Sequence, residues 1–594
     1  MIVLGYNGFT RGAELFGRLY GATGVGRNLL VGHDAAAALS IDGEVVAAVE
    51  EEQLSRVKKT SDFPANAITW CLESAGVELD QVDVFAFPWR FSPTVAEEMI
   101  AQISGAADLS AAAKFDALRR TGELYTDMLS REAVYGDFVQ RTGHALDPNK
   151  LVLVPHHLAH LMCGAYLAGG GDAAFLVSDG RAETLSSVAG ELRDGVVRVF
   201  DESTVDMASS LGVTYGRITR YLGFVPNNDE YKVMGLAAYG PPPQHNPLLE
   251  HVVRLHENGS YTLSVPSDIG AYYALFDDLF GGDSGKREEF DFRVKVAGLA
   301  QHLVEAVTAH QLRALSAASS LDTLLFEGGL ALNCVANTKM LERSTFADME
   351  VSFGASDPGV AIGAAVYTAG LRNRPADAVT TPYLGPSYDE RQILDVLDQY
   401  ADRVAWQEEP DLPSVVERTA ELLAGKNVVG WFQGRAEFGP RALGNRSILA
   451  NPAFPDIKDI INLRVKHREP FRPFAPVVIA SEAPRVFEMG KKTSSPYMTF
   501  VFPVREEYQE RIPGACHVDG TARVQTVDER QNPALTALLR AFTARTDVPC
   551  LLNTSFNVAG EPIVCSPRDA LECFLATEID CLVIDRFVVT KKGA

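Results

Sequence analysis

The chain has 594 residues, 77 acidic against 54 basic side chains, a formal net charge of −23, and 46% hydrophobic and 22% charged residues. That length predicts two or three domains, and the excess of acid excludes nucleic acid as a main partner, because neutralising phosphate needs basic surface. No stretch approaches about 18 uninterrupted apolar residues, and the start MIVLGYNGFTRGAELF lacks a charged segment followed by an apolar one, so the expectation is a cytoplasmic protein with no membrane partner. The eight cysteines form no CxxC pair, which argues against a zinc ribbon or a disulfide framework.

Along the chain, HDAAAALSIDGEVVAAVE (33–50) reads as strand, Asp-Gly turn, strand. Residues 172–200 repeat the plan, and both units place an aspartate, Asp34 or Asp179, where a strand is expected to exit, a usual position for ligand chemistry in α/β folds. Residues 90–150 are helix-patterned and read as an insertion or cap. After LVLV and Pro155, His156 and His160 stand four apart, so on a helix both imidazoles share one face and can bind one metal ion. Asp179 and Asp357, at element ends, can complete the sphere. His157 points about 100° away. His and carboxylate ligands suit iron, manganese or zinc.

Residues 297–318 predict an amphipathic helix. LLFEGGL (324–330) predicts a buried strand ending in Gly328-Gly329, where backbone N–H groups can approach a phosphate. Residues 354–371 turn into a helix, and 372–386, poor in large apolar residues and carrying three prolines, predict the domain boundary, giving domains 1–375 and 376–594. Between Gly434 and Pro476, eight Lys/Arg face four acids. Gly434, Gly439, Pro440 and Gly444 put the first of these cations on turns, and interleaved Phe438, Leu443, Ile448, Phe471 and Phe474 imply partial burial. Guanidinium groups so held suit phosphate, carboxylate or carbamoyl oxygens.

GRAEFGPRALGNRS, NLRVKHREPFRPFAP, HVDGTARVQTV (517–527) and LLNTSFNVAGEPIV (551–564) resemble the O-carbamoyltransferases of antibiotic and nodulation-factor biosynthesis. So do HDAAAAL, EEQLSRVKK (51–59), HHLAH, YKVMGLAAYG (231–240) and GGLALNCVAN (328–337), in the family's order over nearly the whole chain. The resemblance implies an α/β fold with an actin-like/sugar-kinase N-terminal domain and a YrdC-like C-terminal domain. It implies that carbamoyl phosphate and ATP (with Mg2+) give carbamoyl-adenylate in the C-terminal domain, and that the carbamoyl group then passes to a hydroxyl of a small-molecule acceptor in the N-terminal domain.

Carried onto matching positions, the resemblance implies carbamoyl phosphate and nucleotide contacts at Arg435, Arg441, Lys466, Arg472, Arg523, Asn553, Thr554 and Ser555. Adenylate binding falls to Gly328, Gly329, Asn333 and Asn337, where the bland alternative for the asparagines is capping or packing. His156, His160, Asp179 and Asp357 match the metal site, with Fe2+ implied, and His33, Lys58, Asp229 and Glu230 face the acceptor. Two departures stand out: Ala559 replaces a basic residue common in relatives, and Gly8–Leu30 intervenes before the HD motif. A homodimer is the candidate assembly. The runner-up is an enzyme making threonylcarbamoyl-adenosine in tRNA, disfavoured by the acidic charge. A hydrogenase-maturation carbamoyltransferase would carry paired CxxC motifs. A non-enzymatic nucleotide- or metal-sensing module would not need both anion pockets.

Overall fold

The computed structural model describes residues 1–9, 12–20, 32–106, 109–283, 285–371 and 381–593. Contacts divide the chain into two compact units, Met1–Glu52 with Lys59–Ala376, and Gln53–Lys58 with Asp377–Ala594. The fold is mixed α/β in both. Most of the expected boundary segment lies outside the described residues, as do residues 10, 11 and 21–30 of the expected insertion.

The first unit is built from one sheet plan used twice. In the first sheet, β1 (Ile2–Asn7) pairs antiparallel with β2 (Ala36–Ile41), which pairs antiparallel with β3 (Glu44–Glu50). On its other edge β1 runs parallel to β4 (Val84–Phe87), and β4 to β5 (Leu151–Leu153). In the second sheet, β6 (Ala173–Ser178), β7 (Leu185–Arg193) and β8 (Val196–Val199) repeat the antiparallel half, while β9 (Thr323–Glu327) and β10 (Asp348–Glu350) repeat the parallel half. The duplication expected from the Asp-Gly pattern is therefore real. Both hairpins turn on Asp-Gly with positive φ at each residue, 53° and 85° at 42–43 and 49° and 75° at 194–195, the left-handed pair that fits strand twist.

One detail differs from expectation. Asp179 follows β6, but Asp34 precedes β2, which begins only at Ala36. Asp34 sits at φ 59°, outside the extended region, so pairing cannot start at the HD dipeptide. The residue at the exit of β1 is Asn7, whose amide donates to the His33 carbonyl at 3.3 Å.

Helices cover these sheets. The described part of the insertion forms α1 (Gly12–Tyr20), with Leu15, Phe16 and Leu19 buried. Residues 90–150 give α2 (Pro93–Gly105), α3 (Ala111–Leu124) and α4 (Arg131–Thr142), each capped by a serine hydroxyl that satisfies an orphan N–H of its first turn. Then come α5 (His156–Leu167), α6 (Glu230–Ala237), α7 (Phe290–Ala318), α8 (Cys334–Arg343) and α9 (Gly359–Ala369). Helices α5 and α9 cross closely because α9 offers glycines: a Cβ at Gly363 would lie 1.7 Å from the Ala159 carbonyl oxygen. Val3, Ala86, Val154, Ala159, Val360, Ala364 and Ala365 close the core between them and the first sheet.

The second unit holds an eight-stranded sheet. In chain order its strands are β11 (Val404–Glu408), β12 (Val429–Phe432), β13 (Arg446–Ala450), β14 (Ala475–Ile479), β15 (Gln525–Val527), β16 (Cys550–Ser555), β17 (Cys581–Ile584) and β18 (Phe587–Lys591). Across the sheet they run β11-β18-β17-β12-β13-β16-β14-β15. Strand β16 lies antiparallel between β13 and β14, with Asn553 opposite Leu449 on one side and Ala475 on the other. The motifs 434–446, 472–476 and 553–555 therefore meet at one end of the sheet.

Candidate active site

In the N-terminal unit, helix α5 begins directly after Pro155, so His156 and His160 fall one turn apart on one face. With Asp179, just past β6, and Asp357, just before α9, they place four ligand atoms within 4.8 Å of one another, all on buried residues. His156 Nε2 lies 3.7 Å from Asp179 Oδ2 and 3.8 Å from Asp357 Oδ1, and His160 Nε2 lies 3.7 Å from Asp357 Oδ1. These spacings are too long for hydrogen bonds, but they match ligands about 2.0–2.2 Å from a shared ion.

The surroundings fit the same reading. His156 Nδ1 donates to the Pro88 carbonyl at 3.1 Å, which leaves the Nε2 lone pair toward the carboxylates, the usual device for a metal-binding histidine. Trp89 stacks on the same ring at 4.0 Å between centroids. The Nε2 atoms of both histidines are buried without a hydrogen-bond partner. Burial opposes charge on His156, yet Asp179 and Asp357 outweigh it and push its pKa up to about 10. Asp357 is held well below the usual carboxylate range because His33, His156 and His160 outweigh its burial. The donor set selects positive charge. His157 stays outside it, and burial pushes its pKa down to about 3.

His33 adjoins the cluster. Its Nδ1 is 2.8 Å from Asp34 Oδ2 and its Nε2 is 3.6 Å from Asp357 Oδ2. Asp34 also takes the Lys59 ammonium at 3.1 Å, and Lys59 N–H donates to Glu52 at 2.7 Å. Burial works against the Lys59 charge, but Asp34, Glu52 and Glu230 outweigh it and hold its pKa above the usual value. Lys58, the lysine expected from the sequence, groups with the C-terminal unit. The double lysine was visible, but the left-handed backbone at Lys59 (φ 51°) was not. Glu230, at the start of α6, is raised by burial and accepts from the Asn227 N–H at 2.6 Å. Asp229 is bound by Lys232 at 3.1 Å and by the Val225 N–H.

The N–H donors of the Gly-Gly turn bond within the protein. Gly328 donates its N–H to the Ala355 carbonyl and Gly329 to Asp179 Oδ1 at 2.8 Å, so the turn positions a ligand carboxylate with the donors expected for a phosphate. Gly328 has no substitute: its φ is 92° and a Cβ would meet the Ser178 carbonyl oxygen at 2.3 Å. Asn333 caps α8 and pairs with Gln301, while Asn337 donates to the Ala331 carbonyl. Sequence reasoning missed Trp89 and also Glu183, whose carboxylate accepts from the Arg90 and His156 N–H groups at 2.8 and 3.1 Å.

In the C-terminal unit the basic run divides by role. Arg446 is fully buried, gives its guanidinium to the carbonyls of Gln433, Asn445, Pro386 and Gly434, and lies 3.6 Å over the Phe432 ring. Glu437 accepts from the N–H groups of Leu443, Asn445 and Arg446 and pins the turn that starts the run. Arg435 holds the carbonyls of Leu384 and Gly385. The charge count alone therefore overstated the pocket.

Lys466, in the helical stretch 457–466, reaches Ser555 and Asn557. Burial, then Arg468, Arg472 and Lys58, push its pKa well below the usual lysine value. Asn553 donates to Gln525 at 2.6 Å, and Thr554 stands opposite Ile448. Arg441 reaches the Tyr497 carbonyl at 3.4 Å, Arg472 pairs with Glu469 at 2.7 Å, and Arg523 ends a short strand opposite Val501. Arg56, of the segment 53–58, donates to the carbonyls of Pro562 and Ile563 in the GEPIV motif.

Two sheet-based units, one with a His/Asp ligand set and one with a Lys/Arg cluster, carry the sequence features of one enzyme class. The chain belongs to the carbamoyltransferase family: the carbamoyltransferase N-terminus family model matches residues 24–366 and the carbamoyltransferase C-terminus model residues 420–591. It is thus an enzyme of the carbamoyltransferase class. An uncharacterized protein of Synechocystis is 36% identical over 94% of this chain and 95% of its own length. The nodulation protein NolNO of Sinorhizobium fredii is 35% identical over 95% of this chain and 79% of its own. The 3'-hydroxymethylcephem-O-carbamoyltransferase of Amycolatopsis lactamdurans is 33% identical over 57% of this chain and 60% of its own. No helix among the described residues is long and apolar enough to cross a membrane.

Proposed function

We propose that this enzyme is an ATP-dependent O-carbamoyltransferase that divides its reaction between the two units. In the C-terminal unit, carbamoyl phosphate loses its phosphate to water, and the carbamate oxygen attacks the α-phosphorus of ATP. Pyrophosphate leaves and carbamoyl-adenylate remains. Arg441, Lys466, Arg472 and Arg523, with Asn553, Thr554 and Ser555, bind the phosphates there. Cationic donors on fixed turns and element ends stabilise charge that moves between oxygens during the displacement. Mg2+ accompanies ATP.

In the N-terminal unit the acceptor's hydroxyl oxygen attacks the carbamoyl carbon, AMP departs with the electron pair of the broken bond, and the hydroxyl proton passes to His33. The His33 Nδ1–Asp34 contact fixes the ring orientation, and Lys59 anchors Asp34. The adenylate lies beside the Gly328–Asn337 segment, whose glycine N–H groups hold Ala355 and Asp179 and so act on it through the ligand set. A divalent cation held by His156, His160, Asp179 and Asp357 supplies Lewis-acid polarisation of the carbonyl when bound, with Fe2+ the candidate. The acceptor is a hydroxyl-bearing small molecule, in keeping with the name of the cephem relative.

The observation that carries this reading is the buried His/Asp set adjoining the His33–Asp34–Lys59 chain, which puts a proton acceptor for the attacking hydroxyl beside the residues that would hold a carbonyl-polarising cation. The test is His33→Ala. Adenylate synthesis should persist, acceptor turnover should fall about 10²–10⁴-fold, and slow adenylate hydrolysis should replace it. Undiminished acceptor turnover in that variant would remove His33 from the mechanism. If the wild-type chain releases no pyrophosphate from ATP and carbamoyl phosphate, the adenylate route is wrong.

A further inference from the structure

Among the buried ionisable groups that the proposed reaction does not use, Glu327 has the most consequential position. It ends β9, is 1% exposed, and directly precedes the Gly328-Gly329 turn. Its two carboxyl oxygens are both engaged by one residue of a neighbouring loop: Ser352 N–H donates to Oε1 at 2.9 Å and Ser352 Oγ to Oε2 at 2.8 Å. That loop runs on to Asp357. The other side of the carboxyl group lies on α5 at Gly164. A Cβ built there would fall 2.6 Å from Glu327 Cγ and Oε1 and 2.7 Å from Cδ, so the side chain packs on helix backbone that only glycine leaves open. Helix α5 carries His156 and His160. Two residues on from Glu327, the Gly329 N–H holds Asp179.

We propose that Glu327 is a positioning residue of the carbamoyl-transfer centre, one buried side chain that sets the register between the helix carrying His156 and His160, the loop carrying Asp357 and the turn holding Asp179. The role rests on the metal reading given above. Its chemistry explains the residue type. An apolar side chain of the same length could fill the space against Gly164, but it would leave the buried Ser352 N–H and hydroxyl without partners. A shorter polar one would reach Ser352 only by drawing the loop inward. Four donors brought together from residues 156 to 357 need such ties, because ångström displacements are enough to unmake a coordination sphere.

The test uses the full chain and Co2+ as the probe, followed by its ligand-field absorption. Glu327→Ala should weaken Co2+ binding by about tenfold or more, alter the absorption bands, and slow carbamoyl transfer while leaving pyrophosphate release from ATP and carbamoyl phosphate unchanged. Glu327→Gln, which keeps the shape and can still bond Ser352, should restore all three. Gly164→Ala should weaken Co2+ binding by pushing α5 away from Glu327. A folded Glu327→Ala protein with wild-type Co2+ affinity and spectrum overturns the positioning role. Should that variant not fold, Ser352→Ala and Gly164→Ala each disturb one tie alone, and unchanged Co2+ binding in both overturns it equally. A wild-type chain that takes no Co2+ sinks the metal reading and this role together. Binding lost in His156→Ala but intact in Glu327→Ala sinks this role alone.

Discussion

The two candidate sites are built on opposite plans. In the N-terminal unit, His156, His160, Asp179 and Asp357 aim buried lone pairs at a common point and leave spacings too long for hydrogen bonds. In the C-terminal unit, several of the cations spend their donors on the protein itself, Arg446 on four carbonyls, Arg435 on two and Lys466 on the Ser555–Asn557 strand end. The difference teaches that charge in a motif and charge available to a ligand are separate quantities. Anionic ligands in a dry pocket stay together only because imidazoles or a cation balance them. Buried cations are stable as soon as carbonyls surround them, and only part of such a cluster is left for substrate.

The largest effect should come from His156→Ala. Transfer to the acceptor should fall about 10³-fold or more, since the polarising ion contributes several kcal/mol at about 1.4 kcal/mol per decade. Metal analysis should show the loss of the ion, with pyrophosphate release retained. Normal transfer after exhaustive chelation of the wild type would erase the contrast between the units.

Next, Arg441→Ala or Arg472→Ala should slow adenylate formation by about 2–5 kcal/mol, roughly 30- to several thousand-fold, with an unchanged melting curve. Arg446→Met should do the reverse. It orphans buried carbonyls at about 1–3 kcal/mol each, so thermal unfolding should drop by several degrees in a variant whose residual folded fraction still forms adenylate. If Arg446→Met lost catalysis without losing stability, the division of the basic run into structural and binding members would be wrong.

The smallest effect concerns pH. Burial, reinforced by Glu350 and opposed by the Ser352 bonds, pushes the Glu327 pKa up to about 8, with Cys163 the other ionisable group against it. The unfolded chain releases this proton near pH 4–5 while the folded one keeps it. The protonated carboxyl group therefore stabilises fully below that pH, and the contribution is lost as pH rises toward 8. Glu327→Gln should flatten this slope, gaining on the wild type by about 1 kcal/mol per pH unit between pH 5 and pH 8. Parallel curves for the two proteins would show that Glu327 titrates normally.

Much of this was legible in the chain. The duplicated hairpins were readable because Asp-Gly at 42–43 and 194–195 forces a two-residue turn whatever surrounds it. The HHLAH ligands were readable because the 3.6-residue period fixes which histidines share a face. The family motifs, being contiguous, carried the class of enzyme. What the sequence could not determine depended on partners far away along the chain. Lys59 meets Asp34 because its left-handed backbone sets the direction of its side chain. The Gly328-Gly329 donors serve Ala355 and Asp179 because two parallel strands bring those groups alongside. Arg446 is a keystone and not a ligand because Pro386, Gln433 and Gly434 close over it. Local sequence sets backbone period and turn type, whereas the use of each hydrogen bond is decided only when tertiary packing brings its partner within 3 Å.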